Sequence, residues 1–174
     1  GRYAYARQPE ILAWNLAQLA TCLLPLIDTD RERAVAQAQA AMDRYPDLAQ
    51  EAWTEVFAKK LGLETRQEGD AQLAIRLLEV MAEGRDDFTN VFRGLADGSA
   101  ADHVTDRPAF DAWAADWRAR LAREPDPEGA PARIRAANPA LIPRNHRVEE
   151  AIAAAVQGDM GPAVRLHAAL ARPF

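Results

Sequence analysis

The chain has 174 residues, 49% of them hydrophobic and 27% charged, a balance typical of a folded globular domain rather than a disordered segment. Its 26 acidic and 21 basic residues give a formal net charge of −5. This charge disfavours a general nucleic-acid or anionic-membrane partner, because both require a net basic face.

Cys22 is the only cysteine, so the chain can form neither an internal disulfide nor a thiolate metal cluster. We find no apolar run that approaches the roughly 20 residues needed to cross a bilayer. The start of the chain also lacks a basic segment followed by an apolar core. These features predict a cytoplasmic protein without a membrane partner.

The hydrophobic periodicity is helical from the first element onward. In the first helix five leucines recur at intervals of four and three residues, which places them on one side. We call this side the leucine face: Leu12, Leu16, Leu19, Leu23 and Leu26. Pro9 suits the first turn of this helix, and Pro25 is expected to end or kink it, because proline lacks a backbone N–H.

Cap residues, glycines and prolines divide the rest of the chain into further helices. Their predicted ranges are about 28–45, 46–61, 70–83, 87–95, from 106 onward, 131–137, 144–157 and 161–171. The segment REPDPEGAP at 123–131 predicts an internal loop, since it holds three prolines and a glycine. No stretch alternates with period two. We therefore predict an all-α fold, a compact multi-helix domain over 1–174.

The residue types that carry chemistry do not form a recognisable site. His103, His146 and His167 lack the spacing of a zinc motif, and no glycine-rich phosphate loop is found. Ser99 is the only serine, and Cys22 is expected to be a buried, inert thiol among leucines. From the residues alone, we predict no catalytic, cofactor-binding or metal-binding residue in this chain.

Five segments nevertheless form an ordered set of motifs. They are GRYAYARQPEILAWNLAQLATCLLPLID at 1–28, KKLGL at 59–63, DDFTNVFRGL at 86–95, NPALIPRNHRVEEAI at 138–152 and GDMGPAVRLHAALARPF at 158–174. In this order they resemble the motifs of the selenoprotein O family, also called YdiU-like proteins. The resemblance extends from Gly1 to Phe174.

This resemblance implies the helical C-terminal part of a protein-kinase-like fold, in a family once classed as pseudokinases. It implies a bacterial enzyme that uses ATP and magnesium to transfer AMP to hydroxyl side chains of protein substrates. The family's nucleotide and metal ligands precede the GRYAY segment. The missing N-terminal nucleotide-binding half is therefore the expected partner, and this chain is expected to be inactive alone. The alternative is a free-standing helical protein-interaction module without enzymatic activity.

Within the first matched segment, the resemblance places Arg2, Tyr3 and Tyr5 after the equivalent of the activation segment. These side chains either satisfy backbone groups at that junction or take part in docking a substrate. They are expected to lead into a buried helix that carries Trp14 and Asn15.

Within the fourth matched segment, Asn138, Arg144 and Asn145 are the candidate residues. We expect them to form turns, caps and buried hydrogen bonds, because asparagine side chains readily bond to nearby backbone groups. Contacts with the missing half are the alternative.

Overall fold

The structure is a computed structural model, and it describes residues 7–174. Within that range all regular secondary structure is helical, which confirms the predicted all-α class. The helices are α1 (Gln8–Ile27), α2 (Arg31–Asp43), α3 (Tyr45–Lys60), α4 (Asp70–Gly84), α5 (Phe88–Gly94), α6 (Arg107–Leu121), α7 (Ala130–Ala137), α8 (Asn145–Val156) and α9 (Gly161–Leu170).

The chain divides into two units, Gly1–Glu55 and Val56–Phe174, and the boundary falls within α3. The single domain over 1–174 stays a prediction. In the second unit α4 packs on α6 and α8 packs on α9. The segment between α5 and α6, where the sequence predicts no helix, contains a 3-10 helix at Ser99–His103. Asp97 starts this turn, since its side chain accepts hydrogen bonds from the N–H and hydroxyl of Ser99.

In the first unit α1 packs on α2. The side chain of Asp30 caps α2 by accepting hydrogen bonds from the N–H groups of Glu32 and Arg33. The hydroxyl of Tyr45 donates to the carbonyl of Pro9 at 2.8 Å, which ties the start of α3 to the start of α1. Pro25 lies inside α1, which continues to Ile27.

Helix α1 departs from the sequence-based expectation in two respects. It is 20 residues long and contains an 18-residue stretch with a mean hydropathy of 1.4, so by length and composition it is apolar enough to cross a membrane; the expectation of no such run was wrong. It also has no buried residue. Trp14 and Asn15 are exposed, as is Cys22. A periodic apolar stripe marks a packing surface without specifying what covers it.

The second unit has an aromatic core. Phe57 meets Phe92 edge to face with ring centroids 5.8 Å apart, and both side chains are almost fully buried. On α6, Trp113 and Trp117 stack with ring centroids 5.6 Å apart. The indole N–H of Trp113 donates to the carbonyl of Leu73, so the same ring both packs in the core and joins α6 to α4.

The end of α3 lies close to α7. Gly62 follows α3 with a φ of +77°, a conformation that residues with a Cβ rarely adopt. A Cβ at this position would also lie 2.8 Å from Cγ1 of Ile134. Glycine at position 62 therefore permits both the positive φ of the turn and the close approach of Ile134.

Candidate functional site

Three of the matched segments meet at one place in the second unit. Lys60 comes from KKLGL at the end of α3, Phe88, Phe92 and Arg93 come from DDFTNVFRGL on α5, and Asn138 follows α7. We call these five residues the Lys60–Asn138 cluster. Residues from segments far apart in sequence therefore share one environment.

Asn138 is the centre of this cluster and is 1% exposed. Its side-chain NH₂ donates to the carbonyls of Lys60 and Ile134, both at 2.9 Å. Its side-chain oxygen accepts from Lys60 Nζ at 3.2 Å, and its backbone carbonyl accepts from Arg93 Nη1 at 2.7 Å. A buried amide is tolerated when it is bonded in this way. Asn138 thus joins the ends of α3 and α7.

Lys60 carries a half-buried ammonium. Its Nζ lies 5.4 Å from the ring centroid of Phe88 and 5.7 Å from that of Phe92, within the range of cation–π attraction. Burial lowers the pKa of Lys60, because the charged form loses hydration. Its protein acceptors, the Asn138 side-chain oxygen and the carbonyl of Ala137, are neutral. The side chain acts as a cross-link between helices.

Arg144 connects α8 to the start of α5. Its Nη1 donates to Asp87 Oδ2 at 2.5 Å. The other oxygen of Asp87 caps α5 by accepting from the N–H of Asn90 at 2.9 Å. The hydrogen bond from Arg144 is the main cause that lowers the pKa of Asp87. Asn145, the first residue of α8, is exposed.

The other candidates lie elsewhere. Arg2, Tyr3 and Tyr5 fall outside the described residues. Trp14 and Asn15 belong to the first unit, where Asn15 lines an apolar groove of about 560 Å³ between α1 and the first turns of α3.

Sequence reasoning missed the most deeply buried ion cluster of the second unit. Arg120 is 3% exposed; its Nε and Nη2 donate to the two oxygens of Asp70 at 2.7 and 3.1 Å. Its Nη1 donates to Glu124 Oε1 at 2.6 Å. Glu124 follows Arg120 by four residues, just after α6 ends at Leu121, and this short spacing was a usable signal for that pair. Asp70 lies 50 positions away, and no local pattern indicates it.

Glu124 extends this cluster into the segment after α3. It accepts from the backbone N–H groups of Glu64 and Thr65 and from the hydroxyl of Thr65, at 2.9 to 3.2 Å. Burial acts to raise the pKa of Glu124, but the hydrogen bonds from Thr65 and Arg120 outweigh it and the pKa is lowered. Burial acts to lower the pKa of Arg120, but the hydrogen bonds to Asp70 and Glu124 outweigh it and the pKa is raised.

A cleft of about 440 Å³ lies beside this cluster. Arg76 and Asp116 form an exposed ion pair at its wall, with a distance of 2.8 Å. The guanidinium of Arg120 is turned to Asp70, Glu124 and the carbonyl of Thr65. In residues 7–174 no group of three or more His, Cys, Asp or Glu side chains could hold a metal ion. The arrangement stabilises helix ends and offers no paired acid and base.

Comparison with known proteins agrees with the motif pattern. A family model described as protein adenylyltransferase SelO matches residues 1–171. Two proteins described as protein nucleotidyltransferase YdiU, from Ruegeria sp. (strain TM1040) and Ruegeria pomeroyi, are each 51% identical over 174 residues. A third, from Bradyrhizobium sp. (strain ORS 278), is 44% identical over 183 residues.

These matches cover the whole of this chain, but only 36% of the two Ruegeria proteins and 37% of the Bradyrhizobium protein. The chain therefore spans about a third of the length of the curated relatives that it matches. The resemblance drawn from the five motifs is confirmed. The chain belongs to the protein adenylyltransferase SelO family.

Proposed function

We propose that this chain is the helical C-terminal portion of an enzyme that transfers AMP from ATP to hydroxyl side chains of protein substrates. The observation that carries the proposal is the family match over residues 1–171. The description of the YdiU relatives as protein nucleotidyltransferases supports transfer of a nucleotide to protein.

The nucleotide site of this enzyme lies outside the present chain, in the nucleotide-binding half of the same protein. Two observations on residues 7–174 support this placement: the buried Arg120 and Lys60 are already hydrogen-bonded within the protein, and no group of three or more acidic, His or Cys side chains could hold a metal ion. Transfer of a charged nucleotidyl group depends on such cations and metal ligands. The chain alone is therefore proposed to be inactive.

The role of this portion is to support the catalytic half. The ion cluster of Arg120, Asp70 and Glu124 and the Lys60–Asn138 cluster hold loops and helix ends through hydrogen-bonded buried groups, which is how a rigid scaffold is built. We place the protein in the bacterial cytoplasm. Its lone Cys22, which allows no internal disulfide, supports a reducing compartment.

Isotope transfer tests the proposal. The full-length protein and the 174-residue chain are each incubated with magnesium and ATP labelled at the α- or the γ-phosphate. We expect the full-length protein to label protein substrates from α-labelled ATP alone, and the chain to label nothing. Circular dichroism verifies that the chain is helical in the same buffer, so that inactivity does not reflect unfolding.

Three outcomes contradict parts of this account. Label from γ-labelled ATP indicates phosphoryl transfer instead of AMP transfer. Micromolar binding of magnesium-ATP by the isolated helical chain, measured by calorimetry, contradicts an outside nucleotide site. No labelling by the full-length protein with either isotope favours the interaction-module alternative.

A further inference from the structure

Helix α1 carries two apolar stripes, and among residues 7–55 only one of them packs against another helix along its length. The half-buried stripe recurs at intervals of four and three residues: Ala13, Ala17, Ala20 and Leu24. Helix α2 packs on α1 and contributes Ala34, which is 1% exposed. Small residues on both helices permit the close approach of α1 and α2.

The leucine face lies about a third of a turn away from the alanine stripe, because successive residues are about 100° apart on a helix. Leu19 is 53% exposed, although it lies at the centre of this face. At its N-terminal end the face opens onto the groove between α1 and α3, where Leu12 and Leu48 are also about half exposed. Together these residues form one contiguous apolar surface, and contiguous exposed apolar surfaces mark interaction sites.

We infer that the leucine face of α1 docks against an apolar helix in the remainder of the parent polypeptide. The inference rests on that part of the proposed function which makes this chain a portion of a longer protein, and not on AMP transfer. Alternating intervals of four and three residues are the pattern of a helix–helix seam. The surface is therefore suited to a second helix with an apolar stripe of its own.

A bilayer fits this surface less well than a protein helix does. A membrane span is apolar on all sides, whereas α1 carries Asn15 and Gln18 near its middle. Each end carries a carboxylate, Glu10 or Asp28, and the flanking Arg7 and Arg33 form ion pairs with these carboxylates. These carboxylates are disfavoured beside anionic lipid.

The rest of the parent protein also fits better than a second copy of this chain. In the relatives that match, nearly two-thirds of the polypeptide lies outside the matched region, so an intramolecular partner is always present at high effective concentration. Residues 7–55 contain eight acidic and four basic side chains. Two copies of this unit would therefore repel each other.

Photo-crosslinking in the full-length protein tests the inference. The crosslinking amino acid p-benzoylphenylalanine is placed at Leu19, or in a control protein at Ala36, an exposed position on α2. Mass spectrometry then identifies the linked peptides. We expect the Leu19 probe to link within one molecule to a peptide outside residues 1–174, and the Ala36 probe to give no such link.

The other crosslinks each overturn the inference. Links between two molecules indicate a second copy, links to added phosphatidylglycerol vesicles indicate a membrane, and links to residues 56–174 indicate that this chain covers its own face. A photolysed Leu19 probe without any link indicates that the face stays in water.

A second measurement uses smaller substitutions. Leu19→Cys and Leu23→Cys are made separately in a Cys22→Ser full-length protein, with Ala36→Cys as control, and maleimide labelling is followed peptide by peptide. We expect labelling at positions 19 and 23 to be at least about tenfold slower than at 36, and equal after denaturation. Equal rates in the native protein contradict docking.

The maleimide-labelling experiment tests the docking surface and the isotope experiment tests AMP transfer, so either hypothesis can be contradicted without the other. A full-length protein that protects Leu19→Cys but transfers no AMP contradicts the proposed reaction and leaves the docking surface intact. A protein that transfers AMP while position 19 labels as fast as position 36 contradicts the docking surface alone.

Discussion

The two units of the chain use similar helical sequences in different ways. Between residues 7 and 55 the only buried side chain is Ala34, whereas the second unit buries Phe57, Leu77, Phe92 and Trp113. The leucine face is as regular as any stripe of the second unit. An amphipathic pattern marks a packing surface, and under our proposal the partner of the leucine face lies in the part of the parent polypeptide outside residues 1–174.

Polar contacts show the same difference. In the first unit the side-chain bonds of Asp30 and Asp28 reach no further than five residues along the chain, and the long-range bond from Tyr45 to the carbonyl of Pro9 is exposed. In the second unit Arg120 bonds to Asp70 across 50 residues and Asn138 bonds to Lys60 across 78. Long-range bonds to buried groups make the second unit the more stable of the two in our account.

The largest effect is expected at Arg120. Arg120→Met leaves the carboxylates of Asp70 and Glu124 buried without their cation, which costs about 3–5 kcal/mol of the free energy of unfolding. Urea unfolding of the 174-residue chain, followed by tryptophan fluorescence, measures this loss. The control Arg118→Met, at an exposed position of the same helix, should change the free energy by less than about 0.5 kcal/mol. Equal losses would show that the ion cluster does not stabilise the unit.

A matched pair of leucine truncations compares the two units directly. Leu77 is fully buried, so Leu77→Ala should cost about 2–5 kcal/mol through lost burial and the cavity left behind. Leu19→Ala should cost less than about 0.5 kcal/mol in the same chain, because its side chain is half exposed. Calorimetric unfolding reports both values. A large loss from Leu19→Ala in the 174-residue chain would mean that this chain already covers the leucine face.

A smaller effect is expected at Asn138. Asn138→Ala removes the partner of the Lys60 carbonyl and of its Nζ, so it should cost about 1–3 kcal/mol. Asn145→Ala, at an exposed position of α8, serves as the control and should be nearly neutral. The two variants are compared by urea unfolding. Similar losses for both would contradict the central position of Asn138.

The smallest effect is a dependence on pH. Arg144 lowers the pKa of Asp87 in the folded state, so the ion pair stabilises the fold above the unfolded value of about 3.9 and this stabilisation is lost as the pH falls through the folded pKa. The wild-type chain should therefore lose more stability between about pH 5 and pH 2 than Asp87→Asn does. Thermal unfolding across this range measures the two slopes. Parallel slopes would indicate that the pair contributes no stability.

Local signals in the sequence account for most of the helices. Asp30, Asp87 and Asp106 each accept a backbone N–H at the start of a helix, as their positions before periodic apolar residues predict. The 3-10 helix at Ser99–His103 escaped prediction because a single turn has no periodicity to detect. The positions of the α-helices are thus predictable from residues that are close together in the sequence.

The candidate site was predictable only in part. The motifs contain Asn138 and Arg144 as well as their partners Lys60 and Asp87, but these partners lie far away in sequence and the pairing follows from the fold alone. The exposure of Cys22 was missed for a related reason. A leucine-rich helix predicts burial, and burial depends on a partner that the helix does not encode.

Hydrogen exchange in the full-length protein tests the central claim most directly, namely that the regular but exposed leucine face is covered in the parent molecule. In the 174-residue chain, peptides from α1 should exchange much faster than peptides from α6, whose tryptophans are buried. In the full-length protein we predict that α1 exchanges as slowly as α6. Fast exchange of α1 in the full-length protein would contradict the account.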